Sequence, residues 1–138
     1  MSGAALSPEL RSAVWQGAGA RCESCLLHED DAVLPHEPDH IIATQHGGES
    51  VAENLALSCW GCNHVKGPNL SSVDPLTHEI VSLFHPRLDR WAEHFRLDGP
   101  RIAGLTPRGR VTVFPLQLNA PERVRQGLHL QALGRYPV

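Results

Sequence analysis

The sequence predicts an α+β fold, because short apolar stretches typical of strands are interspersed with amphipathic helical patterns along the chain. Two C-x-x-C pairs, Cys22/Cys25 and Cys59/Cys62, add the spacing of a thiolate metal site. The 138 residues are 41% hydrophobic and include 11 prolines and 12 glycines, a composition that suits one compact domain with many turns. We therefore expect a single metal-stabilised domain over residues 1–138.

The N-terminal residues MSGAALSPEL contain no basic segment followed by an apolar run, and no later stretch is long and apolar enough to span a membrane. This composition predicts a soluble cytoplasmic protein without membrane contact. In a reducing compartment, cysteines in two close pairs are expected to be metal ligands rather than disulfides.

The two halves of the chain differ in charge. Residues 1–86 carry 3 basic and 11 acidic side chains (3 − 11 = −8), whereas residues 87–138 carry 9 and 4 (9 − 4 = +5). All nine basic residues of the second half are arginines, which suit bidentate phosphate contacts. The alternative is an ordinary solvated surface with salt bridges.

The first elements follow from local signals. Ser7-Pro8 is typical of a helix start, so a helix is predicted over residues 8–18. A strand is expected around 33–37, and Pro38 is expected to bend the chain before a second extended stretch at 40–43.

Later elements are shorter. A strand is predicted at 55–57, followed by a helix over 59–67 that Gly67-Pro68 ends. For the rest of the chain we predict a turn at 72–75, an extended segment at 80–84, helical spacing over 86–95, strands at 94–98 and 101–105, a helix start at Thr106-Pro107, and a last helix over 120–133.

The four cysteines predict a structural zinc site. Two C-x-x-C turns can direct four sulfurs to one point and complete a tetrahedron around Zn²⁺. A site closed by four thiolates has no open coordination position, so any catalysis needs other residues. Two alternatives are four reduced cysteines in the core and a redox role for either pair. The 33 residues between the pairs indicate an insertion.

The insertion ends in the polar run DHIIATQHGGESVAENLALSCWGCNHVKG, residues 39–67. Hydrolysis of a phosphodiester needs a general base, a divalent cation held by oxygen ligands, and a group that fixes the base. Asp39 offers a carboxylate ligand, His40 can act as a base, and Asn54 and Asn63 follow at a strand and a helix. The run therefore contains candidates for all three parts.

These motifs resemble the HNH endonuclease family. The matching pattern is C-x-x-C, D-H-I, G-G, N-L, C-x-x-C-N and K-G, with thirteen residues between His40 and Asn54 and eight between Asn54 and Asn63. Downstream segments resemble small stand-alone bacterial members: DPLTHEIVSLFHPRLDRWAEHF, GLTPRGRVTV and LNAPERV. The resemblance implies a zinc-stapled ββα-metal core over about 20–70 and a C-terminal α/β extension over about 71–138.

The resemblance also implies roles for individual residues. His40 would be the general base, Asp39 and Asn63 would coordinate Mg²⁺ or Mn²⁺, and Asn54 would hold the His40 segment in place. The ligand at the third position could instead be His64, because neighbouring helical residues point about 100° apart and only one can face the metal. Candidate phosphate contacts are Lys66, Arg87 and Arg90.

The predicted function is a divalent-metal-dependent DNA endonuclease, with RNA still open as a substrate. The alternative is a non-catalytic zinc-stabilised module that binds DNA or protein. Asp39, His40 and Asn63 together argue against that module, because a purely structural zinc domain has no use for a second metal site. Cutting of both strands by one active site would favour a homodimer.

Overall fold

The computed structural model describes residues 6–137 and confirms the predicted α+β class. Short helices alternate with three two-stranded antiparallel sheets. The elements in chain order are α1 (Pro8–Gly17), β1 (Glu37–His40), β2 (Leu55–Ser58), α2 (Trp60–Lys66), β3 (Ser71–Val73), β4 (Ile80–Ser82), α3 (Trp91–His94), β5 (Phe95–Asp98), β6 (Arg101–Gly104), α4 (Pro107–Val113) and α5 (Pro121–Ala132).

Helix α1 supports the back of the β1–β2 hairpin. It begins as the sequence predicts, because Ser7 Oγ accepts a hydrogen bond from the backbone N–H of Leu10 at 3.1 Å. Its buried Val14 packs with Leu55 and Leu57 of β2 in a small apolar cluster. The hairpin is therefore fixed on one side by this helix.

Strand β1 differs from the prediction. It begins at Glu37 and includes Pro38, whereas residues 32–34 are bends, so the predicted strand at 33–37 and the break at Pro38 were wrong. Pro38 pairs with Leu57 of β2. A two-stranded sheet leaves one side of each strand unpaired, and proline is tolerated on such an edge because it removes no ladder hydrogen bond there.

Helix α2 follows β2 directly. Cys59 caps it, since its sulfur accepts from the backbone N–H of Cys62 at 3.4 Å. The helix ends at Gly67, whose φ of +51° lies in a region that side chains with a Cβ rarely adopt. The order β1–β2–α2 is the ββα arrangement that the sequence pattern indicated.

The C-terminal extension contains a hairpin that the sequence analysis missed. The predicted turn at 72–75 is partly strand β3, which pairs with β4. The hairpin is anchored by fully buried Asp74, whose carboxylate accepts two hydrogen bonds from Arg110 of α4 at 3.0 and 2.9 Å. These bonds hold the pKa of Asp74 well below its usual range.

The helical spacing over 86–95 gives only the short helix α3. Asp89 Oδ2 accepts from the backbone N–H of His85 at 2.8 Å, so side-chain bonding organises this segment as a turn. Trp91, the first residue of α3, donates from its indole N–H to the carbonyl of Ser24 at 2.9 Å. The extension is thereby joined to the loop of the first C-x-x-C pair.

The main apolar cluster contains both the cysteines and the extension. It includes Cys22, Cys25, Cys59 and Cys62 with Leu83, Phe84, Phe95, Ile102, Val111, Leu116 and Leu118. Residues 71–118 thus cover the metal-binding end of the ββα unit. Within residues 6–137, no helix has the length and hydropathy needed to cross a membrane.

Candidate active site and zinc centre

The four cysteines converge as the sequence predicts. Their Sγ atoms all lie within 4.8 Å of one another, and the sulfurs of Cys25 and Cys59 are 3.7 Å apart. A tetrahedral zinc with bonds of about 2.3 Å requires sulfurs separated by about 3.8 Å. The cluster therefore fits zinc, and it is the one group of three or more Cys, His, Asp or Glu residues placed for a metal in the described part of the chain.

Two residues of the C-terminal extension reach this cluster, and the sequence analysis assigned neither of them to it. Arg123 of α5 donates to the sulfur of Cys62 at 3.0 Å, and Tyr136 donates from its hydroxyl to the carbonyl of Cys25 at 2.7 Å. Burial alone would lower the pKa of Arg123, but the charge of the cysteine sulfurs outweighs that effect and raises it. No local signal identifies Arg123, because sixty-one positions separate it from Cys62.

Asp39 is buried on the α2 side of β1. Together with Lys66 it lines a cavity of about 20 Å³ under the ββα unit, a space large enough for about one water molecule. Burial raises the pKa of Asp39, and the positive charge of Lys66 opposes this shift. Burial lowers the pKa of Lys66 in turn, while Asp39 opposes that change.

His40 contacts the loop between the two strands. The imidazole is 3% exposed, and its Nε2 lies 2.9 Å from Ser50 Oγ. Its Nδ1 is buried and has no hydrogen-bond partner among the described residues. Buried polar atoms are normally paired, so an unpaired nitrogen marks a position for a further ligand such as water. Ser50 was not among the residues singled out from the sequence.

Asn54 fixes the same loop. Its Oδ1 accepts from the backbone N–H of Ile42 at 2.9 Å, and its Nδ2 donates to the carbonyls of Ile42 and Glu49 at 3.0 and 2.9 Å. Three hydrogen bonds from one side chain therefore join the end of β1 to the residue just before Ser50. Gly48 lies inside this arrangement, where a Cβ would be 1.7 Å from the carbonyl oxygen of Ile42.

Asn63 and His64 differ in their surroundings on α2. Asn63 is half-buried, whereas His64 is exposed and stacks on Trp60 with ring centroids 4.6 Å apart. Lys66, three positions after Asn63, donates to the carbonyl of Ile41 at 3.2 Å. Residues three and four apart share a helix face, so Lys66 lies on the same side of α2 as both Asn63 and Cys62, and of these two it is Cys62 that lines the Asp39 cavity with Lys66.

The candidate phosphate contacts have unequal surroundings. Arg87 donates to both carboxylate oxygens of Glu23, at 2.7 and 2.5 Å, and to the carbonyl of Leu55. Lys66 is held between Asp39 and Ile41. Arg90 is exposed and forms no ion pair within residues 6–137. Arg90 is thus the candidate whose guanidinium is available to a ligand.

The family model described as HNH endonuclease matches residues 22–69. The match spans both cysteine pairs, the β1–β2 hairpin and helix α2. No curated protein and no solved structure matches the chain.

Proposed function

We propose that this protein is a divalent-metal-dependent endonuclease that hydrolyses DNA phosphodiester bonds, because residues 22–69 match the family model described as HNH endonuclease. The observation that carries the proposal is the buried imidazole of His40, which is held at one nitrogen and unpaired at the other. A general base in a hydrolase needs this combination of a fixed ring and a free lone pair.

His40 acts as the base through Nδ1. When Nε2 carries the proton and donates to Ser50 Oγ, the tautomer leaves the lone pair on Nδ1. Nδ1 then accepts a proton from a water molecule whose oxygen attacks phosphorus, and the bond from phosphorus to the leaving 3′ oxygen breaks. Ser50 is a positioning residue, because it acts on the reaction only through the imidazole.

Asp39 and Asn63 are the proposed ligands of the catalytic cation. A carboxylate and an amide oxygen are donors that Mg²⁺ and Mn²⁺ prefer. The Asp39 carboxylate fits this use, since it is buried and forms no ion pair within residues 6–137, with the backbone N–H of His40 as the one hydrogen-bond donor close enough to lower its pKa. A bound Mg²⁺ or Mn²⁺ would stabilise negative charge on the phosphate and the leaving oxygen.

Asn54 is proposed to hold the loop that positions His40, the general base. Its three hydrogen bonds tie Ile42 and Glu49 together, and these residues flank the loop that begins after His40 and leads to Ser50. Loss of the amide would release Ser50 from Nε2 of His40. We therefore expect Asn54→Ala to reduce the rate of cleavage without removing metal from the cysteine cluster.

The zinc centre is proposed to be structural. A tetrathiolate site leaves no position for water, and the four sulfurs are buried under the extension. Zinc there would hold the turn of Cys22 and Cys25 against the start of α2, and so position Asn63. This zinc takes no part in the hydrolysis itself.

The test is cleavage of supercoiled plasmid by zinc-loaded protein with added Mg²⁺ or Mn²⁺ and without either. Chelators are avoided because they would also remove zinc. We expect His40→Ala and Asn63→Ala to abolish cleavage while zinc content stays unchanged and thermal unfolding remains cooperative. His64→Ala is the matched control and should retain most activity on duplex DNA.

Two results would contradict the proposal. If His40→Ala cleaved DNA at the parent rate, His40 could not be the general base. Binding of DNA without cleavage in any metal would instead favour the non-catalytic zinc module. A single-stranded RNA of the same sequence, assayed beside the DNA, would identify the preferred nucleic acid.

A further inference from the structure

An exposed aromatic pair lies on helix α2. Trp60 is 59% exposed, and its ring is nearly parallel to that of His64, at an interplanar angle of 8°. Positions 60 and 64 are one turn apart, so the two rings stack on the same helix face. His64 covers one face of the indole, and the exposed area leaves the other open to a ligand.

An apolar cleft of about 410 Å³ opens beside this indole. Its walls include Val33 and Leu34, which are 97% and 49% exposed, together with Pro100 and Leu130. Glu122 and Gln126 of α5 supply polar groups at the same cleft. A flat aromatic surface beside an apolar recess with a few hydrogen-bonding groups is suited to a planar heterocyclic ligand.

The aromatic pair is close to the proposed catalytic metal site. Trp60 and Asn63 are three residues apart on α2, which places their Cβ atoms about 5–6 Å from each other. Successive nucleotides of one strand advance by about 3.4 Å in a duplex. A base that lies on Trp60 would therefore be one or two nucleotides from a phosphate bound at Asn63.

We propose that Trp60, supported by His64, stacks on an unpaired base next to the scissile phosphate, so that the substrate is single-stranded or locally unpaired DNA. Inside a duplex both faces of each base are covered by neighbouring bases, and an aromatic side chain can stack only on a base that has left the duplex. This inference rests on the proposed nuclease function and adds the structural class of its substrate.

The test measures binding by fluorescence anisotropy, with full-length zinc-loaded protein carrying His40→Ala to prevent cleavage. The probes are a labelled oligothymidine and a duplex of the same length. Stacking of one base on an aromatic side chain corresponds to about 5- to 150-fold in affinity. Trp60→Leu keeps an apolar side chain at the cleft but removes the flat ring, so it should weaken oligothymidine binding by that factor. Duplex binding should change less than twofold.

Controls separate stacking from general loss of structure. Trp60→Phe should restore most of the affinity for oligothymidine, because a smaller π surface is still present. Phe114, the residue after the end of α4, is 80% exposed, and Phe114→Leu should change neither affinity. Zinc content and melting temperature are measured for each variant. If the leucine variant loses zinc, the oligothymidine affinities of Trp60→Phe and Trp60→Tyr are compared with that of the parent instead.

Two outcomes would overturn the inference. If Trp60→Leu binds oligothymidine as tightly as its parent, or loses single-stranded and duplex binding equally, the indole does not read an unpaired base. Failure of the nuclease proposal has a different signature, since the protein with His40 intact would then cleave neither probe in Mg²⁺ or Mn²⁺.

Discussion

Substitution of Gly48 by alanine should damage both stability and activity through the loop that contains Ser50. The added Cβ would lie 1.7 Å from the carbonyl oxygen of Ile42, and real Cβ atoms essentially never approach closer than 3.0 Å. The backbone must therefore move by at least 3.0 − 1.7 = 1.3 Å. A shift of that size exceeds what the hydrogen bonds between Asn54 and Ile42, at 2.9 and 3.0 Å, can tolerate.

The magnitude follows from the bonds that break. Asn54 makes three hydrogen bonds across this loop, and each contributes about 1 kcal/mol net, so Gly48→Ala should cost about 3 kcal/mol. Gly47→Ala is the matched control: φ at Gly47 is +87° and its Cβ position is open, so only backbone strain of about 1–2 kcal/mol applies. For a chain of this length, 1 kcal/mol corresponds to about 3 °C in melting temperature.

Thermal unfolding and plasmid cleavage measure the two effects. Gly48→Ala should melt about 9 °C below the parent, and Gly47→Ala about 3–6 °C below it. Cleavage should fall further in Gly48→Ala, because displacement of the loop also moves Ser50 away from His40. Equal melting temperatures for the two variants would show that the loop adapts without breaking the Asn54 bonds, and would refute the reasoning.

The remaining predictions concern the metal centre and the nucleic-acid contacts. Purified protein should contain one tightly bound zinc per chain, and Cys59→Ser should lower both zinc content and melting temperature. If the melting temperature of Cys59→Ser were unchanged, the zinc would have no structural role. Arg123→Gln should speed zinc transfer to a colorimetric chelator, because the guanidinium 3.0 Å from the sulfur of Cys62 no longer offsets the thiolate charge. Arg125 is exposed, and Arg125→Gln should leave the rate of zinc transfer unchanged. Arg90→Gln should reduce the slope of log affinity against log salt by about 1, and an unchanged slope would exclude a phosphate contact.

The sequence by itself determined the ββα unit and the cysteine cluster. Each C-x-x-C pair fixes two sulfurs through local turn geometry, and the cap at Cys59 and the end at Gly67 are set within a few residues of α2. Such features depend on neighbours in the chain, which the sequence displays directly. The same is true of α1, where Ser7 and Pro8 start the helix as predicted.

Only the tertiary structure decided which distant groups meet. Arg123 reaches Cys62 across sixty-one positions, and Arg110 meets buried Asp74 across thirty-six. Neither contact leaves a periodic or compositional trace, because an isolated arginine has the same sequence appearance whether it is solvated or buried against a charge.

Dependence on distant contacts also explains why the sequence analysis misplaced strand β1 and missed Ser50. Pro38 lies inside β1 because that strand pairs on one side only, and His40 obtains its partner from Ser50, ten residues away in a loop without regular pattern. Both outcomes depend on where the chain places its partners in space. Local preference determines that an element forms, and the packing of the whole chain determines which side chains that element brings together.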